Sequence, residues 1–304
     1  MPPFNQKKAA FVAVVGRPSV GKSTLVNRIC GGKVAIVSPV PQTTRRAVRG
    51  IFNSDEGQLV FVDTPGRHAS EKKFNRRLME VSDRSIAESD LVLYMLDASR
   101  PPGSEEDAVA GLLQGLPESG GKLAAAVNKI DAPGADTGKA QAFLAEKLPR
   151  LEPERIFAVS ALKNEGIPAL LSCLFSMAAP GEPFYPEDIY TDQDVRFRVA
   201  EIVREKAMLR LREELPHSVY VDVADAELRD GGKRLWVRAF IMVERESQKG
   251  MVIGKGGELV RAIRIAAEKD LARIFEWKID LDIRVKTSRD WRHSDAVLKR
   301  IFER

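Results

Sequence analysis

Two glycine turns near opposite ends of this chain each set a lysine where it could grip a phosphate. The first reads "GRPSVGKST", Gly16 to Thr24. It fits G-x-x-x-x-G-K-[ST], with an apolar run before it and a helical pattern after it. Gly16 and Gly21 allow the intervening Arg17, Pro18, Ser19 and Val20 to curl, so that backbone N–H groups surround phosphate oxygens. The N-terminus of the following helix adds positive potential. Lys22 would reach the β- and γ-phosphates and Ser23 would ligate Mg²⁺, with Thr24 beside it. The second turn lies in "MVIGKGGELVRAI", Met251 to Ile263. Its glycines would admit the backbone of a polynucleotide rather than a single nucleotide.

Three further segments follow the first loop. "FVDTPG" places Asp63 at a strand end, where a carboxylate can hold Mg²⁺ through water; Thr64 and Pro65 lead to Gly66, whose N–H could touch the γ-phosphate. "NKID" supplies Asn128, Lys129 and Asp131. Guanine presents N1–H and its exocyclic amino group side by side, and one carboxylate accepts both. Adenine lacks N1–H and would leave Asp131 unpaired, which makes the selection strong. The stem of Lys129 could cover the base. "SAL" adds Ser160 and the N–H of Ala161, which could meet guanine O6.

Between the first two segments lies "VPQTTRR". Together these segments resemble a translation-factor-type GTPase, and specifically the Era family. The likeness continues through "FYPEDIYTD", "RFRVAEIVREK", "ELPHSV" and "VERESQKGMVIGKGG", so it covers nearly the whole chain. It implies a P-loop GTPase domain with a mostly parallel sheet, followed by a smaller α+β type II KH domain. In the first switch a threonine should cap Mg²⁺, with Thr44 ahead of Thr43. Hydrolysis would rest on Lys22, Thr44, the Gly66 N–H and Mg²⁺. In the KH domain, Lys249, Lys255 and Arg261 would attract phosphates around Gly254, Gly256 and Gly257. Ile253 and Ile263 read equally as groove lining or core.

The resemblance also implies the substrate and partners: GTP, hydrolysed to GDP, and the 3′ end of small-subunit ribosomal RNA in the pre-small ribosomal subunit. GTP would favour the RNA-competent arrangement. Two positions depart from the pattern. Arg67 follows "DTPG", where Ras-like enzymes carry a glutamine. Ser19 stands where many relatives have an asparagine that helps hold potassium. Slow turnover without a partner is therefore expected. The alternative is a nucleotide-regulated RNA-binding factor with negligible turnover. A P-loop kinase is disfavoured by "NKID", and a two-GTPase-domain relative by the single G-x-x-x-x-G-K-S.

Composition sets the outer limits. The chain has 304 residues, a net charge of +5 and two cysteines, Cys30 and Cys173. That length favours two domains, and the cysteines have no metal or redox spacing, which favours a reducing cytoplasm. Most of the positive excess falls before residue 181, so charge for nucleic acid must be local, around the second loop. No signal peptide and no membrane span are evident. Peripheral association at the inner face of the cell membrane stays open, and a monomer is expected. His68, His217 and His293 form no ligand pattern, and Trp236, Trp277 and Trp291 read as packing residues.

The elements that must position these groups follow from periodicity. Apolar runs at 10–16, in "GQLVFVDTPG", "SDLVLYMLDAS", "KLAAAVNKID" and "RIFAVSA" read as strands of a buried parallel sheet, with helices from Lys22, over 75–87 and over 139–148. "VRGIFNSDEGQLVFV" reads as a hairpin. The GTPase domain is expected over 1–178 and a proline-containing linker over 179–195. The KH domain is expected over 196–304, in the order α-β-β-α-α-β with a terminal helix. Its first helix is expected to run from 195 to 215.

Overall fold

The computed structural model describes residues 7–66, 73–115 and 123–303. They form two compact units: one of residues up to Ala35 and Thr44–Asp192, the other of Ile36–Thr43 and the chain from Gln193 onward.

In the first unit, β1 (Lys8–Val15) leads through the glycine loop to α1 (Lys22–Ile29). A hairpin follows, β2 (Val48–Ser54) and β3 (Gly57–Asp63). Then come α2 (Lys73–Ala87), β4 (Leu91–Asp97), α3 (Ser104–Gln114), β5 (Leu123–Asn128), α4 (Thr137–Lys147), β6 (Ile156–Ala158) and α5 (Ile167–Met177). The sheet order is β2-β3-β1-β4-β5-β6. Only β2 runs antiparallel, paired with β3 as a hairpin requires. Every residue of β3 and of β4 is buried. This is what a strand covered on both faces demands, and it explains runs without alternation. The strand order reverses around β1, so a crevice opens beyond the C-terminal ends of β1, β3, β4 and β5.

The proline-containing stretch after α5 is held by hydrogen bonds. Up to Asp192 it belongs to the first unit. Its anchor is Gln58, which is fully buried. The Gln58 carboxamide donates to the Tyr185 carbonyl at 2.8 Å and accepts from the N–H groups of Phe184 and Tyr185 at 2.8 and 3.0 Å. Phe184 packs on Phe11, and the Ile51 N–H donates to the Tyr190 carbonyl.

The second unit contains α6 (Val195–Met208), α7 (Leu215–Ser218), β7 (Tyr220–Arg229), β8 (Arg234–Val243), α8 (Glu246–Ile253), α9 (Glu258–Leu271), β9 (Lys278–Thr287) and α10 (Asp295–Glu303). Its sheet has the order β7-β8-β9, antiparallel then parallel. On β8, Leu235, Val237, Ala239, Ile241 and Val243 are buried while the residues between them are not. One face therefore meets the core, which α6 and α9 complete with Val199, Ile202, Val203, Ile263, Ala267 and Leu271. Asp194 caps α6 by accepting from the Phe197 N–H at 2.8 Å. The periodicity predicts α6 to residue 215, but it ends at Met208. There the chain turns, Leu211 enters the core, and Glu213 takes a left-handed backbone ahead of Pro216.

Residues 36–43 pack within this second unit. Ile36 joins its core. The Val37 N–H donates to Glu205 at 2.9 Å, and the guanidinium of Arg204 donates to the Thr43 carbonyl at 2.6 Å. Trp291 is fully buried and donates its indole N–H to the Ser218 carbonyl. Trp277 stacks on Phe275, and the guanidinium groups of Arg229 and Arg238 both lie over the Trp236 ring.

Candidate functional site

The glycine loop turns between β1 and α1 on backbone that few side chains tolerate. Gly21 has φ 104°, and Gly16 is crowded: a Cβ there would lie 2.6 Å from the Met95 carbonyl oxygen. Ser19, exposed at the loop tip, takes φ 61°. Lys22 is buried and curls back, donating to the carbonyls of Gly16 at 3.0 Å and Arg17 at 2.9 Å. Burial pushes its ammonium down to about 8, while Asp63 pulls the other way and Arg17 adds to the depression. A phosphate oxygen in the loop would replace those carbonyls and raise the ammonium's pKa again.

Beside it, three oxygens from distant parts of the chain converge. Ser23 Oγ donates to Asp63 Oδ2 at 2.7 Å, Thr44 Oγ1 donates to the same oxygen at 3.1 Å, and the two hydroxyls lie 3.1 Å apart. The other oxygen, Asp63 Oδ1, is buried with no hydrogen-bond partner. Burial raises the Asp63 carboxyl above the usual range, against the pull of Lys22, Ser23 and Thr44. An orphaned carboxylate oxygen among hydroxyls is a cost that a hard cation removes. The donor set is all oxygen, as Mg²⁺ prefers. Thr43 is directed elsewhere, its hydroxyl donating to the Val40 carbonyl at 2.6 Å. Among the described residues there is no cluster of three or more His, Cys, Asp or Glu that could hold a metal by themselves. A cation here would need the phosphates as further ligands.

The far end of the crevice is built by the ends of β4 and β5, where Asp97 and Asn128 are register partners. Asn128 is buried and bonded at both ends of its amide. Its amide donates to the Val20 carbonyl at 2.8 Å and its oxygen accepts from the Ala161 N–H at 3.0 Å. One side chain thus ties the phosphate loop to the loop after β6. Asp131 Oδ1 accepts from Ser160 Oγ at 2.6 Å, and Ser160 Oγ in turn accepts from the Lys163 N–H. Lys129 has left-handed backbone, φ 65°, and its ammonium donates to Asp97 Oδ2 at 2.7 Å. Gly66 packs against Pro18: a Cβ there would lie 2.7 Å from the Pro18 backbone. That contact brings the segment after β3 up to the phosphate loop.

In the second unit, Gly254 ends α8 with φ 78°, and a Cβ there would lie 2.7 Å from the Cβ of Leu259. Gly256 and Gly257 also have positive φ, but a Cβ on either would meet nothing within 4 Å. Gly254 therefore serves packing, whereas the other two leave open backbone that a ligand can approach. Lys255 and Arg261 are exposed, and Lys249 sits 3.3 Å from Glu246. Of the two isoleucines, Ile263 is a fully buried core residue and Ile253 is partly buried against that core.

Two family models match, one described as a 50S ribosome-binding GTPase over residues 11–129 and one as a KH domain over residues 214–292. GTPase Era of Treponema denticola is 49% identical over 293 residues, covering 96% of this chain and 99% of that protein. This chain belongs to the Era family. GTPase Era of Borreliella burgdorferi is 42% identical over 97% of the chain. Two crystal structures of Era align with TM-scores of 0.90 at 34% identity. One is an Aquifex aeolicus variant bound to GDP·AlF4⁻, covering 97% of this chain and 99% of that one. The other is a complex with MgGDPNP and nucleotides 1506–1542 of 16S ribosomal RNA, covering 98% and 99%.

For an Era-family GTPase the sequence motifs leave out two acidic groups that line the crevice. Asp97 lies against Arg17 at 2.6 Å, and Glu106 of α3 lies 2.5 Å from the Arg17 Nε as an ion pair. The available signal was positional: β1, β3 and β5 each run into a site segment, and Asp97 closes β4 at the same level. Arg67 and His68 lie outside the described residues. Among the described residues no helix is long and apolar enough to cross a membrane.

Proposed function

We propose that this chain binds GTP with Mg²⁺, hydrolyses it slowly, and uses the nucleotide state to govern binding of the 3′ end of small-subunit ribosomal RNA during small-subunit assembly. The observation that carries the reading is the convergence of Ser23, Thr44 and the half-orphaned Asp63 beside the curled Lys22. When bound, Mg²⁺ would neutralise charge on the phosphates. Ser23 and Thr44 would hold it directly and Asp63 through water. Lys22 would leave the loop carbonyls for phosphate oxygens, and the Gly66 N–H would donate to the γ-phosphate. Positioning and charge neutralisation supply most of the catalysis in this chemistry.

At the base end, Asp131 would accept both N–H groups of guanine's edge, with Ser160 fixing the carboxylate. Ala161 would lie at O6, and Asn128 would hold the loops together. The contacts of Ser160 with Asp131 and of Asn128 with Val20 and Ala161 support these roles. In the KH unit, Gly254, Lys255, Gly256 and Gly257 would take the RNA backbone, with Lys249, Ile253 and Arg261 alongside. An Era bound to MgGDPNP and 16S RNA supports the pairing of ligands. Coupling between them is supported by the chain path: it leaves the first unit after Ala35, packs Ile36–Thr43 into the second, and returns at Thr44.

The test is phosphate release from purified protein, with and without Mg²⁺ and with and without the 16S 3′-end RNA, alongside RNA affinity in the GTP, GDP and nucleotide-free states. Mg²⁺-dependent release and nucleotide-dependent RNA affinity are expected. No release under any condition leaves a binding factor without turnover. The proposed setting is a cytoplasmic monomer. Fractionation of cell membranes tests for peripheral contact at their inner face.

A further inference from the structure

Asp97 accepts four hydrogen bonds. Its Oδ2 takes two cationic donors, Arg17 Nη2 at 2.6 Å and Lys129 Nζ at 2.7 Å. Its Oδ1 takes the N–H of Ser99 at 2.9 Å and the Ser99 hydroxyl at 2.5 Å. Both oxygens are committed, so the carboxylate cannot rotate. Burial alone would raise its pKa, but the bonds from Lys129 and Ser99 outweigh that and hold it below the usual value.

The two cations come from different segments of the site and meet on one oxygen. Arg17 is in the phosphate loop, and its carbonyl receives Lys22. The Arg17 guanidinium also donates to the Pro18 carbonyl at 3.0 Å. Glu106 offers one carboxylate oxygen to Arg17 Nε and takes the Gly103 N–H on the other, which anchors the loop to α3. Lys129 stands at the base end on left-handed backbone, a conformation that costs energy unless its surroundings impose it. The side chains of Arg17 and Asp97 are 3% and 2% exposed, so this pair has been removed from water. Buried ion pairs are poor stabilisers, because desolvation offsets attraction. A pair kept there is better explained by what it holds in place.

We propose that Asp97 is a positioning residue for nucleotide binding: it clamps the Lys129 ammonium, so that the lysine stem lies flat as one wall of the base subsite, and keys that wall to the phosphate loop through Arg17. No motif contains it. The inference rests on the guanine-nucleotide reading above.

The experiment measures release of a fluorescent GDP analogue, and KM and kcat for GTP, in the wild type, Asp97→Asn, Lys129→Met and the double variant. Asp97→Asn keeps the shape and removes the charge. It is expected to speed release and raise KM by about tenfold while kcat stays within about twofold. Lys129→Met is expected to change both in the same direction, and the double variant to match Asp97→Asn alone, since the lysine contact is already lost there. Release that accelerates multiplicatively in the double variant overturns the proposal, as does an unchanged KM in Asp97→Asn. Should Asp97→Asn fail to fold, Asp97→Glu keeps the charge and displaces it by one methylene. A raised KM at unchanged kcat then supports the clamp, and an unchanged KM overturns it. A wild type that binds no GDP analogue at all refutes the guanine-nucleotide reading instead, so the two failures are distinguishable.

Discussion

The hydroxyl of Thr44 lies 3.1 Å from Asp63 Oδ2, while that of Thr43 points away to the Val40 carbonyl. Two adjacent threonines of the same chemistry therefore have different prospects. Thr44→Ala is expected to lower kcat for GTP by about tenfold to a hundredfold with GDP affinity nearly unchanged, as for a group used only when the γ-phosphate is present. Thr43→Ala should leave kcat within about twofold. Single-turnover hydrolysis of both variants checks the pair.

Asp63→Asn keeps the side chain's shape, removes its charge and turns one acceptor into a donor. Its carboxylate oxygen Oδ1 is buried without a partner, so the amide gains nothing while the cation loses its anion. The Mg²⁺ concentration giving half-maximal GTP hydrolysis should rise by about tenfold or more. A magnesium titration of turnover measures it.

At the base end, Asp131→Asn exchanges an acceptor for a donor where Ser160 Oγ now holds the carboxylate at 2.6 Å. GTP should weaken by about a hundredfold or more, and xanthosine triphosphate, which carries an oxygen in place of the amino group, should gain. Competition between the two nucleotides for the fluorescent GDP site reads the switch.

The glycines of the KH turn should separate by role. Gly254→Ala forces a Cβ to within 2.7 Å of Leu259 at φ 78° and should cost about 1–2 kcal/mol or more of stability. Replacing Lys255 and Gly256 with two aspartates puts negative charge on open, exposed backbone. RNA affinity should fall at least about tenfold, with the urea midpoint moving less than for Gly254→Ala. Urea unfolding and RNA filter binding on the same preparations decide it.

The Asp97 carboxyl is held below its ordinary value in the folded protein. At acid pH the unfolded chain therefore binds more protons at this position than the native one does. The stabilisation is present above about pH 4, the unfolded aspartate value, and is lost as pH falls through the lower folded value. Asp97→Asn lacks this contribution, so its stability should fall less steeply than that of the wild type as pH falls below about 4. Urea midpoints across that range give the two slopes.

Much of the framework around the first loop could be read from residues alone, because its demands are local. Gly16 and Gly21 must be glycine for the loop to close, and the apolar runs of β1, β3, β4 and β5 end at the residues that face the crevice. The KH order followed from alternation on β8 and from the helix beginning at Glu258. Other features were hidden for a common reason. Asp97 looks like any aspartate that ends a strand, Ile263 like any groove or core residue, and residues 36–43 like a loop of the first unit. Each acquires its meaning from partners far away in sequence: Arg17 and Lys129, the β7–β9 core, and Glu205 with Arg204.

The sequence by itself determined which groups this chain can bring to a site: a glycine loop with its lysine, a carboxylate at the end of a strand and a second glycine turn, all specified within a few neighbouring residues. Only the tertiary structure decided which of two threonines meets Asp63, which carboxylate clamps Lys129 and which segment packs on α6. Those outcomes depend on hydrogen-bond direction and burial between strands and loops brought together by folding, and side-chain direction at a contact is not encoded in spacing along the chain.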